Sequence, residues 1–158
     1  MMNLRVLFIA SATMLVAACG GVDEIVKDQC PEIAVLVTAD VWKQDKASAQ
    51  MKSARLTCFI DGDSNELLAD IRLKGVASEA GLALPFFVAT LDKENRITDR
   101  LQYKVKVGKT DFAFDLPRYV YGTRDKLADR PRLVAGFVLT PAQLKANRAD
   151  YRDRLGIE

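Results

Sequence analysis

Leu101-Gln102-Tyr103-Lys104-Val105-Lys106-Val107 sets an apolar or aromatic side chain at every second position and a polar or cationic one between. Successive side chains of an extended chain point to opposite faces, so this period of two describes a strand with one face on a core and one in water. On its N-terminal side, Phe86-Phe87-Val88-Ala89-Thr90-Leu91 is almost unbroken apolar sequence, as in a strand buried on both faces. The charged turn Asp92-Lys93-Glu94-Asn95-Arg96 joins the two. Further upstream a β-branched run covers 33–38, and residues 54–60 alternate around Leu56, Cys58 and Ile60. Asp61-Gly62-Asp63-Ser64-Asn65 is a dense turn signal, and 67–76 then sets Asp70, Arg72 and Lys74 on one side against Ile71 and Leu73 on the other. That is a hairpin with one solvated face. Downstream, Asp111-Phe112-Ala113-Phe114-Asp115 reads as a short strand and 133–139 as another. About seven strands at these spacings predict an all-β fold, an immunoglobulin-like antiparallel two-sheet sandwich.

The ending has a different period. Thr140-Pro141-Ala142-Gln143 sets an N-cap threonine before proline at the first helical position and glutamine at the third, a capping box. A short C-terminal helix should start there. Leu144, Arg148, Tyr151 and Leu155 recur at helical spacing, so this stripe is expected to lie on the sandwich and to turn Lys145, Asn147 and Asp150 outward.

The beginning of the chain is an address. One early charge, Arg5, precedes the apolar run 6–15, which is much shorter than the roughly 20 residues of a membrane-spanning helix and reads as an export signal. Leu15-Val16-Ala17-Ala18-Cys19-Gly20 then resembles the bacterial lipobox, in which the cysteine is acylated and the signal removed. The expected organisation is a signal peptide over 1–18, a polar tether over 19–29 and one domain over 30–158. Acyl chains contribute roughly 0.8 kcal/mol per buried methylene, so the two or three carried by Cys19 would hold the chain on a membrane without a basic patch. Gly20 after the cysteine, in place of aspartate, resembles the sorting signal for the outer membrane. The tether, residues 20–29, reaches at most about 35 Å.

Removing 18 of the 158 residues leaves 140, with 22 basic and 21 acidic side chains, a net of +1. Charges are interspersed, which gives nucleic acid no electrostatic footprint. With Cys19 committed to lipid, Cys30 and Cys58 remain, and in an oxidising compartment two leftover cysteines predict one structural disulfide. A redox pair would use a Cys-x-x-Cys spacing, which is absent.

The runs Cys30-Pro31-Glu32-Ile33-Ala34-Val35-Leu36, Phe86-Phe87-Val88-Ala89 and Ala135-Gly136-Phe137-Val138-Leu139-Thr140-Pro141-Ala142-Gln143-Leu144-Lys145-Ala146-Asn147-Arg148, with Cys58, resemble an uncharacterised family of alphaproteobacterial outer-membrane lipoproteins. The resemblance spans most of the chain after the signal. It implies the location and the sandwich, and it implies no functional residue.

Histidine is absent, which removes the commonest general base and zinc ligand, and with it Ser/His/Asp and Cys/His catalysis. Asp61-x-Asp63-x-Asn65 copies the start of a calcium loop, but Glu66 and Arg72 occupy positions where that loop needs glycine and glutamate. Gly108-Lys109-Thr110 ends like a phosphate-binding loop whose first glycine would be Tyr103. Neither is a site, and no metal or cofactor is expected. Trp42 reads as core or rim packing near the sandwich edge in preference to an exposed ligand-stacking aromatic. The candidate partner surface is Tyr119 and Tyr121, near Arg118 and Arg124, together with Lys145, Arg148 and Arg152 of the final helix.

The expectation is a lipid-anchored, periplasm-facing protein of the outer membrane that is not an enzyme and serves another envelope protein as a binding or accessory module. Two rival expectations stand beside it. A carboxylate-dependent hydrolase of envelope glycans would bring Asp61, Asp63, Glu66, Asp92 or Glu94 into one cleft. A carrier of a lipid or small apolar ligand would hold an open cavity between the sheets.

Overall fold

Asp61 turns the chain back on itself by taking over backbone donors that water would otherwise satisfy. Its Oδ1 accepts from the Asp63 N–H at 2.9 Å and its Oδ2 from the Ser64 hydroxyl at 2.8 Å, while Asn65 takes the left-handed conformation at φ 61°. The turn zips β4 (Ala47–Ile60) against β5 (Glu66–Ala77) in an antiparallel ladder from Ile60↔Leu67 to Ala49↔Ala77. Asp92 repeats the device between β6 (Ala83–Leu91) and β7 (Ile97–Lys106): its Oδ1 accepts from the Glu94 and Arg96 amides, and Asn95 has φ 63°. Within β5, Gly75 is required by a close approach, because a Cβ there would lie 2.3 Å from the Gln50 carbonyl oxygen and 2.4 Å from the Phe112 ring.

The computed structural model describes residues 24–25, 30–126 and 131–156. The expected signal 1–18, Cys19 and all of the expected tether except 24–25 lie outside the described residues. Ten strands are described, three more than the expected seven. The first sheet is built on the β4–β5 hairpin: β1 (Glu24–Ile25) and β3 (Val41–Gln44) share the free edge of β4, while β8 (Asp111–Asp115) and β9 (Tyr119–Thr123) share that of β5. The break between β8 and β9 falls at Leu116-Pro117-Arg118, where proline has no N–H for the ladder. The second sheet has the order β2 (Glu32–Val35), β10 (Arg132–Phe137), β6, β7. β2 runs parallel to β10, from Glu32↔Arg132 to Val35↔Ala135, which corrects the all-antiparallel expectation. Only a hairpin-length connection forces antiparallel pairing, and these two strands are joined through nearly the whole domain. β1, β3 and β9 are the three beyond the expectation; each is short and pairs with the edge of a longer strand, β1 and β3 with β4 and β9 with β5.

The two sheets pack as a sandwich, followed by one short C-terminal helix. Phe86 is central, with ring centroids 4.9 Å from Phe114, 5.0 Å from Phe137 and 5.9 Å from Phe112. Ile71, Leu73, Leu84 and Leu133 belong to the same cluster and are fully buried, and Leu67 is fully buried nearer the 61–65 turn. Trp42 is packed into the same core, as expected. The Cys30–Cys58 disulfide, with Cα atoms 5.5 Å apart, ties the segment leading into β2 to β4 and so joins one sheet to the other. β7 is an edge strand, and Leu101 is 39% exposed despite the regular alternation of 101–107, with Ile97 60% exposed before it.

The registers give the sandwich two distinct ends, separated along β4 by roughly 40 Å. At the Ile60 end lie the 61–65 turn, β9, the Cys30–Cys58 bridge and β1, which enters the sheet with Glu24 opposite Ile60. At the Ala47 end lie β3 and the loop 36–40, where Phe137 donates its amide to Ala39 and Met51 to Asp40, both at 2.8 Å. The final helix starts from that second end.

Candidate functional site

The helix α1 (Pro141–Leu155) starts where its sequence says it should. Thr140 Oγ1 accepts from the Gln143 amide at 3.3 Å, and Gln143 Oε1 accepts from the Thr140 amide at 2.8 Å. Gly156, at φ 64°, closes the other end with its N–H directed at the Arg152 and Asp153 carbonyls.

What holds α1 to the sandwich is not the expected stripe. Asn147 is buried and its amide donates to the carbonyls of Thr38 at 3.2 Å and Val41 at 2.7 Å. The Gln143 amide donates to the Lys43 carbonyl. Val41 and Lys43 are two residues apart on the outer edge of β3, a spacing of about 6.6 Å, and Gln143 and Asn147 are one helical turn apart, about 6 Å. The side-chain amides therefore stand in for a missing strand neighbour and cover that edge. Asp150 adds an ion pair with Lys43 at 3.6 Å between two well-exposed side chains, worth about 1 kcal/mol or less. This corrects the expected orientation: Asn147 and Asp150 belong to the face toward the sandwich. A strand edge presents polar carbonyls, and only hydrogen-bond donors satisfy them.

The rotation leaves the apolar stripe at the surface. Leu144 and Tyr151 are half-buried, Arg148 is exposed and Leu155 is 52% exposed. Leu144, Arg148 and Tyr151, with Pro141, Lys145, Arg152 and Thr38, line a groove of about 520 Å³, and Leu155 follows one turn further along the helix, outside that lining. The opposite flank of α1 borders a second cavity, of about 700 Å³, lined by Asp40, Asp150, Asp153 and Arg154 among others. Asp40 Oδ1 is buried there without a hydrogen-bond partner among the described residues. One flank of the helix is thus basic and the other is largely acidic.

Three of the five residues of the candidate partner surface, Lys145, Arg148 and Arg152, come together in the first groove. Tyr119 and Tyr121 lie on β9 near the other end of the sandwich. They share a face, as expected, but that face points inward and the exposed side chain of the strand is Val120. Tyr119 is buried, with its hydroxyl donating to Asp99 Oδ2 at 2.9 Å and bonded to Thr90 Oγ1, a strut from the first sheet to the second. Burial pushes the phenol of Tyr119 above its ordinary value, and burial does the same to half-buried Tyr121. Arg118 pairs with Asp70 at 2.9 Å and lies over the Phe59 ring. Leu144, Tyr151 and Leu155, whose helical spacing pointed to burial against the sandwich, are half-buried, half-buried and exposed, and the groove that Leu144 and Tyr151 line was not read from the sequence.

The carboxylates of the hydrolase reading belong to separate turns in separate sheets. Asp61 is held below its ordinary value first by the Asp63 amide and then by the Ser64 hydroxyl, and Asp92 first by the Arg96 amide. Glu94 pairs with Arg96 at 3.2 Å. Carboxyl groups with lowered pKa are poor proton donors at neutral pH, and both Asp61 and Asp92 serve their own turns. The space between the sheets, where a carried ligand would sit, holds the phenylalanine cluster. Among the described residues no group of three or more Cys, Asp and Glu could hold a metal ion, and no helix is long and apolar enough to cross a membrane.

Comparison of the chain with protein-family models, with curated proteins and with solved structures finds no match.

Proposed function

We propose that this chain is a lipid-anchored, non-enzymatic accessory module of the cell envelope, held at the periplasmic face of the outer membrane through Cys19 and presenting α1 to a protein partner. The observation that carries the reading is the polarity of the sandwich: β1 enters at one end and α1 stands at the other. Glu24 is five residues after Cys19, a span of at most about 18 Å. An acylated Cys19 would therefore keep the β1 end near the bilayer and point α1 roughly 40 Å into the periplasm. At that distance, several Debye lengths from the anchoring lipid, the basic groove of α1 is better suited to a protein than to the membrane the chain sits on. The lipobox and the resemblance to outer-membrane lipoproteins support the location.

Metabolic labelling with a clickable fatty acid tests the anchor: the wild type should be tagged and Cys19→Ser should not. A photo-crosslinker placed at Arg152 in intact cells should give discrete adducts, and one placed at Val120, near the β1 end, should not give the same ones. Equal labelling of the two chains, or identical adducts from both positions, defeats the reading.

A further inference from the structure

Pro141, Leu144, Arg148, Tyr151 and Leu155 follow one another at intervals of three, four, three and four, the spacing of the a and d positions of a heptad. On a helix such positions form one narrow seam that fits the seam of another helix. In most globular proteins the seam is used up in docking the helix to its own domain. Here Gln143, Asn147 and Asp150 do that on the neighbouring face, and the heptad seam borders an open groove, with Leu144 and Tyr151 half-buried and Arg148 and Leu155 exposed.

We infer that this seam of α1 is a docking site for an amphipathic helix of another envelope protein, one with an apolar stripe flanked by glutamate and aspartate. The inference rests on the accessory-module reading and adds the chemistry of the partner. Charge decides the occupant. Lys145 and Arg152 flank the seam on one side and Arg148 sits within it, all three exposed, with no acidic side chain among the groove residues. Acidic flanks on the incoming helix would pair with Lys145 and Arg152 and with the Arg148 guanidinium, while Leu155, Tyr151 and Leu144 receive its apolar stripe. A second copy of this chain is the wrong occupant, because antiparallel pairing about the middle of the seam sets Arg148 against Arg148. The 15 residues of α1 extend about 22 Å, enough for two heptads of a partner. Thr38 borders the groove, and Leu36 and Val37, just before it in the chain, are 40% and 43% exposed.

The test uses the full-length lipoprotein in phosphatidylcholine nanodiscs and two stapled, fluorescent 15-residue helices. Both carry leucine at a and d; one carries glutamate at the e and g positions and the other lysine, and empty nanodiscs give the background. The acidic helix should bind at least tenfold more tightly than the basic one, with affinity on the order of tens of micromolar for so small an interface. Lys145→Glu with Arg152→Glu should reverse that preference. Leu155→Asp, at an exposed position, should weaken the acidic helix at least fivefold with an unchanged melting temperature. Equal binding of the two helices, or binding of neither, overturns the inference, as does a concentration-dependent dimer of the lipoprotein that Leu155→Asp abolishes. Fatty-acid labelling at Cys19 reads the anchor without reference to the seam, so failure of the one is not mistaken for failure of the other.

Discussion

The two ends of this sandwich are closed by different physics. At the β1 end a disulfide links the sheets, Tyr119 ties β9 to Thr90 and Asp99 from a buried position, and two aspartates cap tight turns. At the far end a helix rests on a strand edge through two side-chain amides and one exposed ion pair, with most of its surface in water. The contrast shows where stability is held and where surface is left free. The covalent tie lies nearer the expected anchor, and the far end presents a helix docked through polar side chains, whose apolar seam is half-buried at Leu144 and Tyr151 and exposed at Leu155.

Removing the disulfide is the strongest way to break this contrast. Cys30→Ala with Cys58→Ala releases a bridge between residues 28 apart and should lower the unfolding free energy by about 3 to 4 kcal/mol in the chain-entropy model, read by urea denaturation. A loss under about 1 kcal/mol would mean that the β1 end is not the stronger one. Next comes Asn147→Ala, which leaves the Thr38 and Val41 carbonyls without their donor and should cost about 2 kcal/mol. Hydrogen exchange should show the loss concentrated in α1 and β3; uniform loss would contradict a helix held by its amides.

Tyr119→Phe removes the strut and should cost about 1 kcal/mol at neutral pH. It also carries a pH signature. Tyr103, Tyr119 and Tyr121 all hold their protons more tightly in the folded chain than the ordinary value of 10.0, chiefly through burial. Their contribution is therefore complete below pH 10.0 and is lost as the pH rises above it toward the folded values. The wild type should destabilise above that pH, and Tyr119→Phe should show a shallower loss; identical alkaline slopes would show that Tyr119 is not a coupled group.

At the far end Thr140→Ala removes the cap and should cost about 1 kcal/mol. Charge reversal at Lys145 and Arg152, both exposed, should change stability by no more than about 0.5 kcal/mol while abolishing the partner adducts. Charge reversal would thus separate binding from stability, and a large stability loss would place the two residues in the structural contacts of α1.

What the sequence determined by itself is local. The turns at Asp61 and Asp92, the doubly buried strand at Phe86–Leu91, the capping box at Thr140 and the packing of Trp42 are each decided by residues within a few positions of one another. The Cys30–Cys58 bridge was legible as well, because only two cysteines remained after Cys19 was set aside. The tertiary structure decided the rest. The parallel pairing of β2 with β10 joins residues about one hundred apart, and β3 and β9 exist because β4 and β5 offer them an edge. The rotation of α1 shows why such features are out of reach: a helix reports its own periods, but which face it buries depends on what it meets. An apolar partner would have taken Leu144, Tyr151 and Leu155. The outer edge of β3 presents carbonyl oxygens, and so took Gln143 and Asn147 instead.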